Sequence, residues 1–247
     1  MEDTEPTATR RSVIRGALGA GVTALGLSTV GTAAAGDGPP AAEPVLLVNG
    51  YSDTEDTPWW DVLESHFRDV GYTDDEVHRA DLGDVPGTTV DSPTEYAEVV
   101  ADRLAAISEE YGGEVDVVAH SMGGLDSRWA IEKLEAAQYV DDLVTLGTPH
   151  QGTYVAYLGA LTDGGRDMIP GSEFLEALND GRLAESVGYL ALWSSADELI
   201  DPDEYAKLPD PEAASVDVAR SENSGYQEHI QLVADRDVFE QYYRFLG

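Results

Sequence analysis

The chain has 247 residues, 48 acidic against 14 basic side chains, a formal net charge of −34 and no cysteine. Nucleic acid is excluded as a ligand, because a polyanion would meet repulsion and almost no phosphate-binding cations. The missing cysteines exclude disulfides, a thiol nucleophile and a lipidated cysteine anchor. Carboxylates recur along the whole chain and only two lysines occur, Lys133 and Lys207. Such self-repulsion strains a compact state at low salt and is screened at molar salt, the pattern expected of an extreme halophile.

In chain order, Thr9-Arg10-Arg11-Ser12-Val13-Ile14-Arg15 reads as a twin-arginine signal, followed by an uncharged stretch from Gly16 to Gly36 with a small-residue cleavage site at Ala33-Ala34-Ala35. The stretch is long enough for a membrane span, but its Gly, Ala, Ser and Thr content suits a mildly hydrophobic export signal better. Residues 1–35 are therefore expected to be removed, 36–43 to be a disordered leader containing Pro39-Pro40, and 44–247 to form one well-buried domain. The implied partner is the twin-arginine export machinery, which carries proteins already folded, and the mature chain is expected to be secreted as a monomer.

Val45-Leu46-Leu47-Val48 predicts a buried strand, and Val77 to Leu82 a second. Ser92-Pro93-Thr94-Glu95 reads as a capping box with proline at the first helical position. The helix it opens buries Tyr96, Val100, Leu104, Ile107 and Tyr111, and Gly112-Gly113 stops it. Val115 to Ala119 predicts a strand. Leu125, Trp129, Ala130, Leu134 and Ala137 mark one face of the next helix, and Leu143, Val144 and Leu146 the next strand, after Asp141-Asp142. Gly188 to Ser194 is a late strand, and Asp235 to Leu246 a closing helix with Val238, Phe239, Tyr242 and Leu246 inward. Strands interleaved with helices imply an α/β fold with a mostly parallel central sheet covered on both faces.

Between the third strand and its helix lies Ala119-His120-Ser121-Met122-Gly123, a small-x-Ser-x-Gly turn. Such a turn presents a serine at its apex and tolerates no bulk two residues away on either side, which Ala119 and Gly123 satisfy. A serine hydroxyl needs a base to attack an ester. His120 adjoins the serine but is directed away from it, His66 and His78 read as solvated or structural, and His150 reads as structural. His229, in a Gly-containing loop before the final helical region, remains as the base. Asp197, just past the late strand, is the acid expected to orient it, with Asp201 as the alternative. The amides of Met122 and Tyr51 are the expected oxyanion donors, Tyr51 lying in the Asn49-Gly50-Tyr51-Ser52 loop after the first strand.

These segments together resemble the small secreted bacterial lipases of the α/β-hydrolase superfamily. The likeness rests on Val115 to Gly124, on Val144-Thr145-Leu146-Gly147-Thr148-Pro149, on Ser194-Ser195-Ala196-Asp197 and on the His229 loop, in the Ser, Asp, His order of that fold. It implies carboxylic-ester hydrolysis through an acyl-enzyme, with Ser121, Asp197 and His229 catalytic and Tyr51 and Met122 in the oxyanion hole. No cofactor and no essential metal are expected. An acyltransferase or amidase would use the same machinery, and a non-catalytic binding protein would typically have lost a triad member. Asn49 stands where many relatives have His before Gly. Residues 151–187 are longer than in the smallest relatives. Their Tyr154, Val155, Tyr157, Leu158, Leu161, Met168, Ile169, Phe174 and Leu175 suit a lid or acyl-pocket wall touching a lipid interface transiently, or ordinary core.

Overall fold

A computed structural model of the protein describes residues 43–54, 56–83, 88–209 and 219–246. The expected export signal and all of the leader but Glu43 lie outside them. Among the described residues six strands form one sheet: β1 (Val45–Val48), β2 (Val77–Arg79), β3 (Val115–His120), β4 (Val140–Leu146), β5 (Gly188–Ser194) and β6 (Ala219–Gly225). Their order is β2-β1-β3-β4-β5-β6, and every neighbouring pair is parallel. This is the α/β fold with a parallel central sheet covered on both faces that the alternation of strands and helices implied.

Side-chain alternation along each strand divides the core in two. Leu46, Val48, Val117, Ala119 and Leu143 face α2 (Pro93–Tyr111) and α3 (Gly123–Lys133), while Val45, Leu47, Val118, Val144 and Leu146 face the other side. There they meet α1 (Pro58–Asp69), α6 (Gln231–Ala234) and α7 (Arg236–Tyr242) through Trp60, Leu63, Phe67, Leu232, Val238 and Phe239. A side chain this size contributes roughly 1.5–3 kcal/mol when fully buried. Short helices α4 (Asp163–Asp167) and α5 (Glu173–Asn179) fill the 151–187 region on the α2/α3 side, where Phe174 and Leu175 join the core.

Several elements differ from expectation. The Ser92 hydroxyl accepts from Thr94 N, not from the third helical amide, and donates to Asp167 Oδ2 at 2.6 Å, so the capping box gives way to a tie between α2 and α4. Tyr111 lies past the buried stripe and is exposed. Helix α3 ends at Lys133, leaving Leu134 exposed and Ala137 in a separate 3₁₀ turn, Ala136–Tyr139. β2 is three residues rather than six, and β4 begins early enough to include Asp141 and Asp142. The closing helix is shorter than expected: α7 starts after its Asp235 cap, which accepts from Asp237 N, and ends at Tyr242, while α6 precedes that range. Strand β6, Ala-Arg-Ser-Glu-Asn-Ser-Gly, was not foreseen, because it lacks apolar alternation and is held mainly by pairing with β5.

Strand order reverses between β1 and its two neighbours: the chain moves outward to β2, then returns to β3 on β1's other side. In open parallel sheets the crevice beyond the carboxyl ends at such a switch point is where ligands bind. The loops after β1, β3, β4 and β5 all reach that edge.

Candidate active site

Ser121 follows the last residue of β3 with φ +55°, a left-handed conformation that costs a non-glycine residue about 1–2 kcal/mol. The surroundings enforce it. Ser121 N donates to Leu146 O at 2.9 Å, and Ser121 O accepts from Gly124 N at 3.1 Å as α3 begins. Space is minimal on every side: a Cβ on Gly50 would come within 2.7 Å of Ser121 Cβ, one on Gly123 would strike the Asn49 carbonyl, and one on Gly124 the Thr148 side chain. Ser121 itself is half-buried, so its hydroxyl is reachable from solvent.

His229 and Asp197 come together beside this turn, both almost wholly buried. His229 Nδ1 lies 2.9 and 2.8 Å from the two carboxylate oxygens of Asp197. A carboxylate can only accept, so Nδ1 carries the proton and Nε2 is left with a lone pair. Asp197 Oδ1 also accepts from the amides of Leu199 and Ile200 at 3.0 and 3.2 Å, which fixes the acid on the loop after β5. Gly147, at the end of β4 with φ +56°, makes room for the pair: a Cβ there would fall 2.8 Å from Asp197 Oδ2 and 3.2 Å from His229 Nδ1. Among the described residues, no hydrogen bond reaches the Ser121 hydroxyl from His229, a contact that often tightens only with substrate bound. Asp201 is exposed and turns its backbone to Thr153 and Tyr154, away from His229.

The backbone amides of Tyr51 and Met122 donate to no acceptor among the described residues, and Gly50 places the two loops in contact, its Cβ direction passing 3.4 Å from Met122 N. Asp53 pins the Tyr51 loop. Its carboxylate accepts from Thr54 N (2.7 Å), Thr57 Oγ1 (2.5 Å) and the indoles of Trp59 and Trp60 (3.1 Å each). Its carbonyl accepts from Asn49 Nδ2 and Thr89 Oγ1, and Ser52 N donates to Thr89 O. Asn49 therefore has a structural task, its side-chain amide holding the Asp53 carbonyl.

The remaining histidines separate clearly. His66 Nε2 donates to Ala234 O, and His78 stacks edgewise on Tyr111. His150 is fully buried; its Nε2 donates to Thr145 Oγ1 at 3.0 Å and its Nδ1 faces Arg128 at 3.4 Å, with burial first and that guanidinium second holding its pKa well below the usual value. Arg128 also pairs with Glu132 at 2.8 Å and Asn179 at 3.0 Å, locking α3 to α5. His120 contacts the His229 loop, and Glu198 Oε2 accepts from His229 N. Sequence reasoning missed the parts of His120, Glu198 and Asp53, since the first two act on backbone groups and Asp53 on an amide, a hydroxyl and two indoles, none of which a local motif reveals.

The 151–187 region divides. Met168, Phe174 and Leu175 are core, whereas Tyr154, Tyr157, Leu158 and Leu161 are exposed, Leu158 and Leu161 at 90 and 97 %. The 3₁₀ turn Tyr154–Gly159 sits at the site's rim, flanked by Thr162, whose Oγ1 lies 2.9 Å from Tyr51 Oη on the loop after β1, and by Thr153, whose Oγ1 donates to Leu199 O on the Asp197 loop. Leu199, Tyr226 and Ile230, flanking Asp197 and His229, add exposed apolar surface. At the opposite, amino edge of the sheet, Glu43, Asp116 and Asp141 form the one carboxylate group among the described residues with oxygens within 4.8 Å of one another.

Residues 42–239 match the family model of lipase, class 2. The mature form of a Bacillus licheniformis lipase superposes with a TM-score of 0.66 at 19 % identity, over 85 % of this chain and 94 % of that one. Lipase B of Aspergillus fumigatus gives 0.63 at 22 %, over 78 % of this chain and 49 % of that one. A Listeria innocua gene product gives 0.55 at 14 %, over 83 % and 93 %. At these identities the likeness to the solved structures is one of fold.

Proposed function

The chain belongs to the class 2 lipases and is a lipolytic hydrolase, and from that premise we propose that it cleaves carboxylic esters by a Ser121–His229–Asp197 relay through an acyl-enzyme. His229 Nε2 takes the Ser121 proton as Oγ attacks the ester carbonyl carbon. The carbonyl oxygen becomes an oxyanion facing the Tyr51 and Met122 amides, each donor being worth roughly 3 kcal/mol in such a site. His229 returns the proton to the departing alkoxide, releasing the alcohol. Water then gives a proton to His229 and attacks the acyl carbon, and the acid leaves as Ser121 regains its hydrogen. Asp197 stabilises the imidazolium formed in both halves. The observation that carries this reading is the buried His229–Asp197 pair beside a serine held at φ +55° at the sheet's switch point.

Lipid esters are the substrate class best supported. Residues 143–162 contain no Asp, Glu, Lys or Arg, and the exposed Leu158 and Leu161 border the site, a surface suited to transient contact with an uncharged lipid interface. The Arg10-Arg11 signal supports twin-arginine export and action outside the cell, and the charge of −34 supports a halophilic origin.

Ser121→Ala, assayed on p-nitrophenyl esters in molar salt, is expected to lose roughly 10⁴–10⁶-fold in kcat while keeping its fold. A serine-directed phosphonate should label the wild type stoichiometrically and the variant not at all. Undiminished hydrolysis by the variant would overturn the assignment.

A further inference from the structure

The peptide of His229 is held from both sides. Its amide donates to Glu198 Oε2 at 3.1 Å, and its carbonyl lies 3.1 Å from His120 Nε2. A carbonyl only accepts, so His120 carries its proton on Nε2; its Nδ1 has no hydrogen-bond partner among the described residues. The His120 and His229 rings are 4.5 Å apart between centroids, tilted by 47°, and Trp60 closes the far side of His120 edge-on at 6.5 Å. Burial first, and the neighbouring His229 second, hold the His120 imidazole well below its ordinary pKa. It is thus a neutral donor, and adds no positive charge beside an imidazolium forming on His229.

Strand geometry explains why this residue is the one available. Side chains alternate along β3, so His120 points to the same face as Val118, toward α1 and α6. Ser121, one residue later, leaves the strand in the left-handed turn. One dipeptide therefore offers a hydroxyl to the crevice and an N–H to the loop carrying the base, 109 residues further along the chain.

Building on the hydrolase reading above, we propose that His120 is a positioning residue: its Nε2–H fixes the His229 carbonyl and so aims His229 Nε2 at Ser121. The bland alternative is volume, a ring wedged between Trp60 and His229 whose hydrogen bond is incidental. The two differ in what a substitute must supply. In glutamine the side-chain Nε2 stands as many bonds from the backbone as in histidine, and it donates. Leucine fills space and donates nothing.

The experiment compares His120→Gln and His120→Leu in the full chain on a soluble p-nitrophenyl ester. His120→Leu is expected to lose about 10–100-fold in kcat with KM within about twofold, the signature of misplaced reacting groups. His120→Gln should remain within about threefold of wild type. In a His229→Ala background, His120→Leu should cause no further loss of residual hydrolysis, because the interaction it removes acts only through His229. Equal losses in Gln and Leu, or a loss that persists without His229, would overturn the proposal. If His120→Leu does not fold, His120→Asn replaces it, its amide being one bond short of the carbonyl, with the same two outcomes. Ser121→Ala retaining full turnover would instead remove the underlying hydrolase reading, a result the His120 series cannot mimic.

Discussion

Carboxylates at the two ends of β1 live in opposite circumstances. Past its carboxyl end, Asp53 receives four donors, and on the same edge Asp197 receives two amides and an imidazole. Before its amino end, Glu43 faces Asp141, Glu114 and Asp142, and burial first, then those neighbours, push its pKa up to about 7. The same side-chain chemistry is an anchor at one edge and a source of repulsion at the other. The donors that tame Asp53 and Asp197 are backbone amides, a hydroxyl, indoles and an imidazole rather than lysine or arginine. A chain with only 14 basic residues has few cations to spend, and short buried hydrogen bonds suffer much less from salt than surface ion pairs do.

The contrast breaks most visibly at Asp197. Asp197→Asn keeps the shape but removes the charge and favours the wrong imidazole tautomer, so kcat should fall about 10³–10⁴-fold with little change in KM. A loss under tenfold by steady-state kinetics would mean that this edge does not depend on its carboxylate. Asp53→Ala should cost less, about 10–100-fold in kcat, because it loosens the Tyr51 loop without touching the proposed Ser121–His229–Asp197 relay. Its urea midpoint should fall too, as two indoles and an amide lose their acceptor. The smallest effect belongs to the amino edge. Folded Glu43 holds its proton above the ordinary carboxylate pKa, so folding stability is greatest below about pH 4.5 as far as this group is concerned. It declines until about pH 7 and is level beyond. Glu43→Gln should flatten that decline, giving a higher thermal midpoint than wild type at pH 8 and a smaller difference at pH 5. Identical slopes in the two proteins would show that the cluster is relaxed by the surrounding solution.

Legibility in the sequence followed apolar pattern. β1 and β3 are dense in Val and Leu and β5 is apolar from Tyr189 to Trp193, so all three are legible nearly to the residue, as is α2 from its Ser-Pro start to its Gly stop. β6 was invisible, because an edge strand needs only one partner and its residues are mostly polar. At the candidate site, Ser121 was marked by the small residues its turn requires, and Asp197 and His229 by their places after the late strand and before the last helices. His120, Glu198 and Asp53 were not, since their partners are main-chain atoms or indoles identified only once the chain is folded. The exposed and buried halves of 151–187 were equally inseparable by composition, both being rich in large apolar side chains.

The polar character of β6 has a consequence for how copies of this protein treat one another. An outermost strand offers a free row of peptide groups to any passing β-chain, and apolar side chains there would reward the union. Here Arg220 and Glu222 stand on that border, half exposed and bonded to each other at 3.0 Å, while the opposite border is a strand only three residues long. A sheet flanked in this way gives little purchase for fibrillar growth even in concentrated brine, where long-range repulsion no longer keeps molecules apart.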